Sequence, residues 1–144
     1  MKNNESREIY LEFLKKEGYN CKIIENNLLE FEHEGKTYNV MFVVREDGSE
    51  FVHLIRCGTW QSNTKDEITK ILYVLNDVNK ETPGVKSYID KNDNGENIIY
   101  VEACFLIKEP DDFFKIFSLF FHILQDASNY LKENLKKIES KDKF

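Results

Sequence analysis

The sequence contains 144 residues, enough for one small domain, since a fold of this length buries ~70% of the surface that its unfolded chain exposes. Its 26 acidic residues outnumber its 20 Lys and Arg and give a formal net charge of −6. That balance argues against a general nucleic-acid binder, whose affinity for phosphates comes from clustered basic residues. The 11 Phe and 7 Tyr residues exclude intrinsic disorder. We therefore expect a single soluble domain over residues 1–144.

The N-terminal half of the chain predicts one helix followed by hairpin-linked strands. Residues 6–17 place apolar side chains on one helical face, and Gly18 ends the helix where a left-handed residue is useful. Alternating apolar and polar runs follow and predict three or four antiparallel strands, whose sheet has one apolar face. The turns between these strands are predicted at Asn26-Asn27, Glu34-Gly35 and Asp47-Gly48.

The second helix is marked at both ends. Thr64 lies three residues before Glu67, which is a capping-box signature, and a proline directly after Thr82 ends the helix near that residue. The amides of Asn76 and Asn79 lie near its C-terminal end, where we expect them to form hydrogen bonds with the backbone of the following strand.

The last third of the chain predicts a hairpin and a final helix. Residues 85–90 and 98–107 alternate as strands around a turn at 93–95. Pro110 then fits the first position of a helix, and the two Asp residues that follow it face the positive end of the helix dipole. The predicted fold class is α+β, an antiparallel sheet of about five strands with three helices, in the order α-β-β-β(-β)-α-β-β-α.

The final helix is unusually apolar. Between residues 113 and 124, Lys115, Ser118 and His122 are the polar positions. This apolar arc is wider than the ~100° that packing against one surface requires, so the helix needs cover on more than one side. The second cover is either another part of this domain, for which the first helix is the candidate, or another chain. We expect another copy of the chain or another protein to provide it, because a large exposed apolar patch promotes association. The predicted interface residues are Phe114, Phe117, Phe121 and Leu124.

Four segments carry a resemblance to a known family, and they are Phe31–Tyr38, Leu75–Asn79, Lys86–Asp90 and Pro110–Phe113. They hold packing and capping residues and no catalytic signature. Over roughly residues 8–138 the chain resembles the YbjN-like family, whose fold is that of the type III secretion chaperones. The resemblance implies a single non-enzymatic domain of this kind, often dimeric, that binds other proteins or assists regulation.

The three cysteines, Cys21, Cys57 and Cys104, are odd in number and far apart in the chain. Their spacing fits neither a disulfide framework nor a zinc site built from close pairs, so we predict reduced thiols that mostly fill the core. The N-terminal residues are polar, unlike a signal peptide, and the most apolar stretch is shorter than the ~20 residues of a membrane span. We therefore predict a cytoplasmic protein with no membrane association and no nucleic-acid partner.

Two clusters of residues suggest chemistry, and each also has a simpler structural interpretation. Residues 90–95 match the first half of a calcium loop, but the twelfth position is Val101 where a Glu should complete the ligand set. Asp, Asn and Gly are also the residues that a hairpin turn needs. His53 and Cys57 share one face of a predicted strand, with His33 on a neighbouring strand. The first two lie ~13 Å apart along the strand, too far to hold one ion or to activate a thiol.

No catalytic, cofactor-binding or metal-ligating residue is predicted. We predict a non-enzymatic protein-binding domain, an adaptor, chaperone-like or regulatory protein, that acts as a homodimer and binds a protein or peptide. The alternative is a small-ligand or metal-binding regulatory domain that uses the turn at 90–95 or the strand of His53. A thiol enzyme centred on Cys57 is a third hypothesis.

Overall fold

The computed structural model describes residues 3–60 and 64–138 of the chain. Over these residues it confirms the α+β class and the predicted element order, with three helices and an antiparallel sheet. The sheet has six strands where about five were predicted, because the optional strand before the second helix is present and is 11 residues long. The elements are α1 (Asn3–Lys16), β1 (Asn20–Glu25), β2 (Leu28–His33), β3 (Lys36–Val44), β4 (Glu50–Trp60), α2 (Lys65–Glu81), β5 (Val85–Lys91), β6 (Asn97–Ile107) and α3 (Pro110–Leu135).

The strands are ordered β1-β2-β3-β4-β6-β5 across the sheet, so β1 and β5 form its edges. The hairpin between β2 and β3 has a two-residue turn, because His33 pairs with Lys36 and leaves two residues between them. Those residues, Glu34 and Gly35, have φ angles of 50° and 73°. Positive φ at both positions is what a two-residue type I′ turn requires, and its twist matches that of the strands.

The residues divide by their contacts into two compact units. Unit 1 comprises the described residues of Met1–Ile55 and Cys104–Phe121, and unit 2 those of Arg56–Ala103 and His122–Phe144. The strands β4 and β6 and the helix α3 contribute residues to both units.

In unit 1, the side chains of β3 and β4 alternate between two unlike faces of the sheet. Val40, Phe42, Val52 and Leu54 are buried, and Phe42 contacts the ring of Tyr10 on α1. We call this side the covered face. The opposite side, which we call the open face, carries half-buried or exposed side chains of β3, β4 and β6. They are Met41, Val43, Phe51, His53, Ile55, Cys104 and Leu106.

The core of unit 1 is a cluster of aromatic rings on the covered face. Phe117 of α3 lies at its centre and contacts Phe13 of α1, Phe31 of β2 and Phe113 one turn earlier, with ring centroids 5.4 to 6.1 Å apart. Such separations are those of tilted and edge-to-face ring pairs. Helix α3 therefore packs on two different elements of its own chain within this unit.

A buried carboxylate also fixes α1 against β4. Glu50 is 1% exposed, and its Oε1 accepts hydrogen bonds from Ser6 Oγ at 2.7 Å and from Tyr10 Oη at 3.1 Å. Burial, together with the nearby carboxylate, raises the pKa of Tyr10. Both donors lie on α1, one turn apart, so the two bonds set the rotation of that helix about its axis.

In unit 2, a polar clasp joins α2 to β5. Asn79 Nδ2 donates to the carbonyl oxygen of Ser87 at 3.1 Å, and Asn79 Oδ1 accepts from the backbone N–H of Ser87. The Ser87 hydroxyl donates to the carbonyl of Leu75 at 2.8 Å. The predicted bond to the following strand is thus confirmed for Asn79, whereas Asn76 lies on the exposed side of α2.

The ends of α2 also follow the sequence prediction. Thr64 is the N-cap residue, and its hydroxyl accepts the backbone N–H of Glu67 at 3.4 Å. The helix ends at Glu81, with Thr82 as the C-cap residue. Local side-chain and backbone chemistry therefore determines both ends of this helix.

Candidate functional site

The four predicted interface residues of α3 have different surroundings. Phe117 and Phe121 are 1% and 5% exposed, in the aromatic cluster of unit 1, and Leu124 is fully buried. Phe114 is 37% exposed. Three of the four are therefore core residues of this chain. At Phe117, the ring of Phe13 on α1 supplies a second cover that we had expected from another molecule.

Phe114 borders a groove between α1 and α3. Its ring stacks on that of Phe13, with centroids 4.9 Å apart. The groove has a volume of about 590 Å³ and is also lined by Ile9, Glu12 and Lys16. Charged side chains therefore alternate with apolar ones along the groove.

The open face carries an apolar patch. Val43, Phe51 and Leu106 expose 44%, 39% and 44% of their surfaces there. Val43 lies directly opposite Phe51 in the register of β3 and β4, and Met41 lies opposite His53. Directly opposed side chains touch across a sheet. Leu106 lies two residues along β6 from Cys104, whose sulfur contacts His53 of β4, so these residues lie on one surface. Single exposed apolar residues are ordinary, whereas contiguous apolar surfaces indicate binding sites.

A sequence signal for the open face exists in β3. The run from Val40 to Val44 contains five consecutive apolar residues. Alternate residues of this strand, Tyr38, Val40 and Phe42, are buried on the covered face, and Met41 and Val43 between them supply the open face. Uninterrupted apolar runs are typical of strands whose two faces are both covered.

The cysteines differ from their predicted burial. Cys21 is buried, as expected, and burial raises the pKa of its thiol to about 11. Cys57 and Cys104 are exposed, so the prediction that the cysteines mostly fill the core is wrong for these two. Desolvation raises the pKa of the Cys57 thiol, which keeps it in the less nucleophilic protonated form at neutral pH.

A histidine and a cysteine meet on the open face, in a pairing that the sequence analysis did not consider. Nε2 of His53 lies 3.8 Å from Sγ of Cys104. The earlier pairing of His53 with Cys57 followed from their position on one strand. The contact with Cys104 depends on β6 lying next to β4, although α2 and β5 separate the two strands in sequence.

The segment that matches half a calcium loop forms a hairpin turn. Oδ1 of Asn92 accepts the backbone N–H groups of Asn94 and Glu96 at 3.0 and 2.9 Å, and Gly95 has a φ of 76°. Side-chain oxygens that shape the turn are thus already engaged with its backbone. Within residues 3–60 and 64–138, no group of three or more His, Cys, Asp or Glu is placed to hold a metal ion.

Comparisons with known proteins support the fold. No protein-family model matches the chain, and no curated protein matches it. The structure of YbjN from E. coli, a proposed transcription regulator, is similar with a TM-score of 0.60 and 10% sequence identity, covering 91% of this chain and 93% of that one. An uncharacterized protein from Methanothermobacter thermautotrophicus is similar with a TM-score of 0.51 and 14% identity, covering 90% and 99%. The resemblance is therefore confirmed as a YbjN-like fold.

None of the helices within the described part of the chain combines the length and the apolar character that crossing a membrane requires.

Proposed function

We propose that this protein is a non-enzymatic protein-binding domain, with an adaptor, chaperone-like or regulatory role, and that it acts as a homodimer. The observation that carries the proposal is the contiguous apolar patch of Val43, Phe51 and Leu106 on the open face. The regulatory role proposed for YbjN, which shares the fold, agrees with this class of function.

A second copy of the chain suits the open face better than a small molecule does. Small ligands are bound in concave pockets that surround most of their surface, whereas the open face is one side of a sheet. Sheets pack on one another face to face at ~10 Å through interdigitating apolar side chains. Two copies related by a two-fold axis would place Val43, Phe51 and Leu106 of one against the same residues of the other.

Phe114 provides the competing surface on α3. It is the exposed member of the four interface residues predicted from the sequence, and it lies beside the groove between α1 and α3. We assign the contact between copies to the open face, because it carries three exposed apolar side chains on adjacent strands, whereas Phe114 is bordered by Glu12 and Lys16.

Sedimentation of the full chain at low and high micromolar concentration tests both the homodimer and the assignment of its contact to the open face. The double variant Val43→Lys/Leu106→Lys places like charges on the open face, and Leu119→Lys is its control, since Leu119 is 57% exposed on α3. We expect a dimer for the wild type and for Leu119→Lys, and a folded monomer for the double variant. Circular dichroism verifies that each variant is folded.

Two results would contradict the proposal. A wild-type protein that stays monomeric at every concentration excludes the homodimer. A dimer that Phe114→Lys dissociates and Val43→Lys/Leu106→Lys does not would move the contact to the groove between α1 and α3.

A further inference from the structure

The contact between Cys104 and His53 has the geometry of an activated thiol. The 3.8 Å separation of Sγ and Nε2 is within hydrogen-bond distance for sulfur. The two residues lie on neighbouring strands rather than on loops, so the sheet holds them together. Cys104 is exposed on the surface, where a dissolved reagent can reach its sulfur.

An imidazole at this distance makes a thiol more reactive. The thiolate is the nucleophilic form of cysteine, and a neighbouring histidine favours it by accepting the proton and then pairing with the charge. We propose that Cys104 is a modification site, at which His53 activates the thiol for oxidation by hydrogen peroxide.

The reaction balances with peroxide as the sole co-reactant. The thiolate sulfur of Cys104 attacks one oxygen of hydrogen peroxide, so that an S–O bond forms and the O–O bond breaks. The departing hydroxide takes the proton held on His53 and becomes water. The sulfur is oxidised by two electrons to a sulfenic acid, and the peroxide is reduced to water.

The other two cysteines are controls within the same molecule. Cys21 is buried and its pKa is raised to about 11, while Cys57 is exposed and its pKa is raised by desolvation. Both effects favour the protonated thiol at neutral pH. Cys57 is the stricter control, because its exposure allows reagent to reach it and its reactivity then reports the state of the thiol.

Oxidation at this position also has a consequence that rests on the proposed function. Cys104 lies on the open face, two residues before Leu106, and a sulfenic acid adds a polar group to the apolar patch. A second copy seated on this face would in turn cover the thiol. Oxidation and dimerisation therefore compete, with the monomer as the reactive form.

Trapping of the sulfenic acid with dimedone tests the reactivity. The dilute, full-length protein is treated with hydrogen peroxide at pH 7, and peptide mass spectrometry gives the labelling rate of each cysteine. We expect Cys104 to be labelled fastest, and His53→Gln to slow it about ten-fold or more while the rate of Cys57 stays unchanged. Equal rates for Cys104 and Cys57 in the wild type would overturn the proposal without any variant, as would an unchanged Cys104 rate in folded His53→Gln.

Sedimentation of the oxidised protein separates this inference from the proposed homodimer. Selective labelling of Cys104 together with loss of the dimer supports both. Selective labelling in a protein that never dimerises supports the modification site and excludes the homodimer. Oxidation of Cys104 that leaves a dimer intact excludes the competition between the two. A Cys57→Ser variant, which keeps Cys104, should lose its dimer on oxidation as the wild type does, and it controls for oxidation at the other exposed cysteine.

Discussion

Removal of the Asn79 side chain should measurably loosen α2 from the sheet. Strand β5 is an edge strand, with β6 on one side. The Asn79 amide serves the backbone of Ser87 as a neighbouring strand would, since it donates to the carbonyl oxygen and accepts the N–H of the same residue. Asn79→Ala removes the hydrogen-bond partner of the Ser87 N–H and that of the Ser87 carbonyl oxygen at once, and Ser87 is only 4% exposed.

The expected loss follows from the two backbone groups left without these bonds. A buried polar group that loses its partner costs ~1–3 kcal/mol. Two such groups give a loss of ~2–6 kcal/mol, near the lower end if water reaches the edge of the strand. For a chain of this size, that corresponds to a drop in Tm of about 5–20 °C.

Urea unfolding, followed by circular dichroism and by the fluorescence of buried Trp60, measures this loss. Asn76→Ala is the matched control, because it makes the same chemical change one turn earlier on the exposed side of α2. We expect it to change the free energy of unfolding by no more than ~0.5 kcal/mol. If the two variants are equally stable, the hydrogen bonds between Asn79 and Ser87 contribute nothing to the stability of the fold.

Two further predictions concern α3. Phe117→Ala should lower the free energy of unfolding in urea by ~3–5 kcal/mol, because it opens a cavity in the aromatic cluster. Leu119→Ala, at an exposed position of the same helix, should lower it little. Similar losses of stability in the two variants would place Phe117 outside the core. Backbone N–H groups of Glu109 and Lys108 hold the pKa of Asp112 below its ordinary value. The carboxylate of Asp112 therefore stabilises the fold at every pH above the pKa of an unfolded Asp, ~3.9. This contribution disappears as the pH falls through the lower pKa that Asp112 has in the folded protein. The urea midpoints of wild type and Asp112→Ala should therefore differ at pH 7 and converge in acid, and a constant difference would refute the assignment.

Features set by neighbouring residues were predictable from the sequence. The cap at Thr64, the end of α2 near Thr82 and the turn at Glu34-Gly35 each depend on a few consecutive residues and were confirmed. The bond from Asn79 spans eight residues and was also foreseen, because a helix-end amide has few partners other than the strand that follows.

Contacts between elements distant in the sequence were not predictable in the same way. The approach of Cys104 to His53 requires β6 to lie beside β4, and the alternation within each strand carries no information about which strand is its neighbour. The same limit applies to α3, whose apolar residues do not specify that α1 is among the elements that cover them.

An apolar arc determines how many surfaces a helix must contact, and the fold determines which molecule supplies them. At Phe117, Phe13 of α1 and Phe31 of β2 supply two surfaces from the same chain, so the width of the arc on α3 does not by itself require a partner. Among the described residues of unit 1, these contacts all lie on the covered face of the sheet. Val43 and Leu106 point to the other side and keep more than two fifths of their surfaces in contact with solvent. The case for a second copy therefore depends on the strands and not on the helix, and a polar substitution on the open face should dissociate the proposed dimer while leaving the core intact.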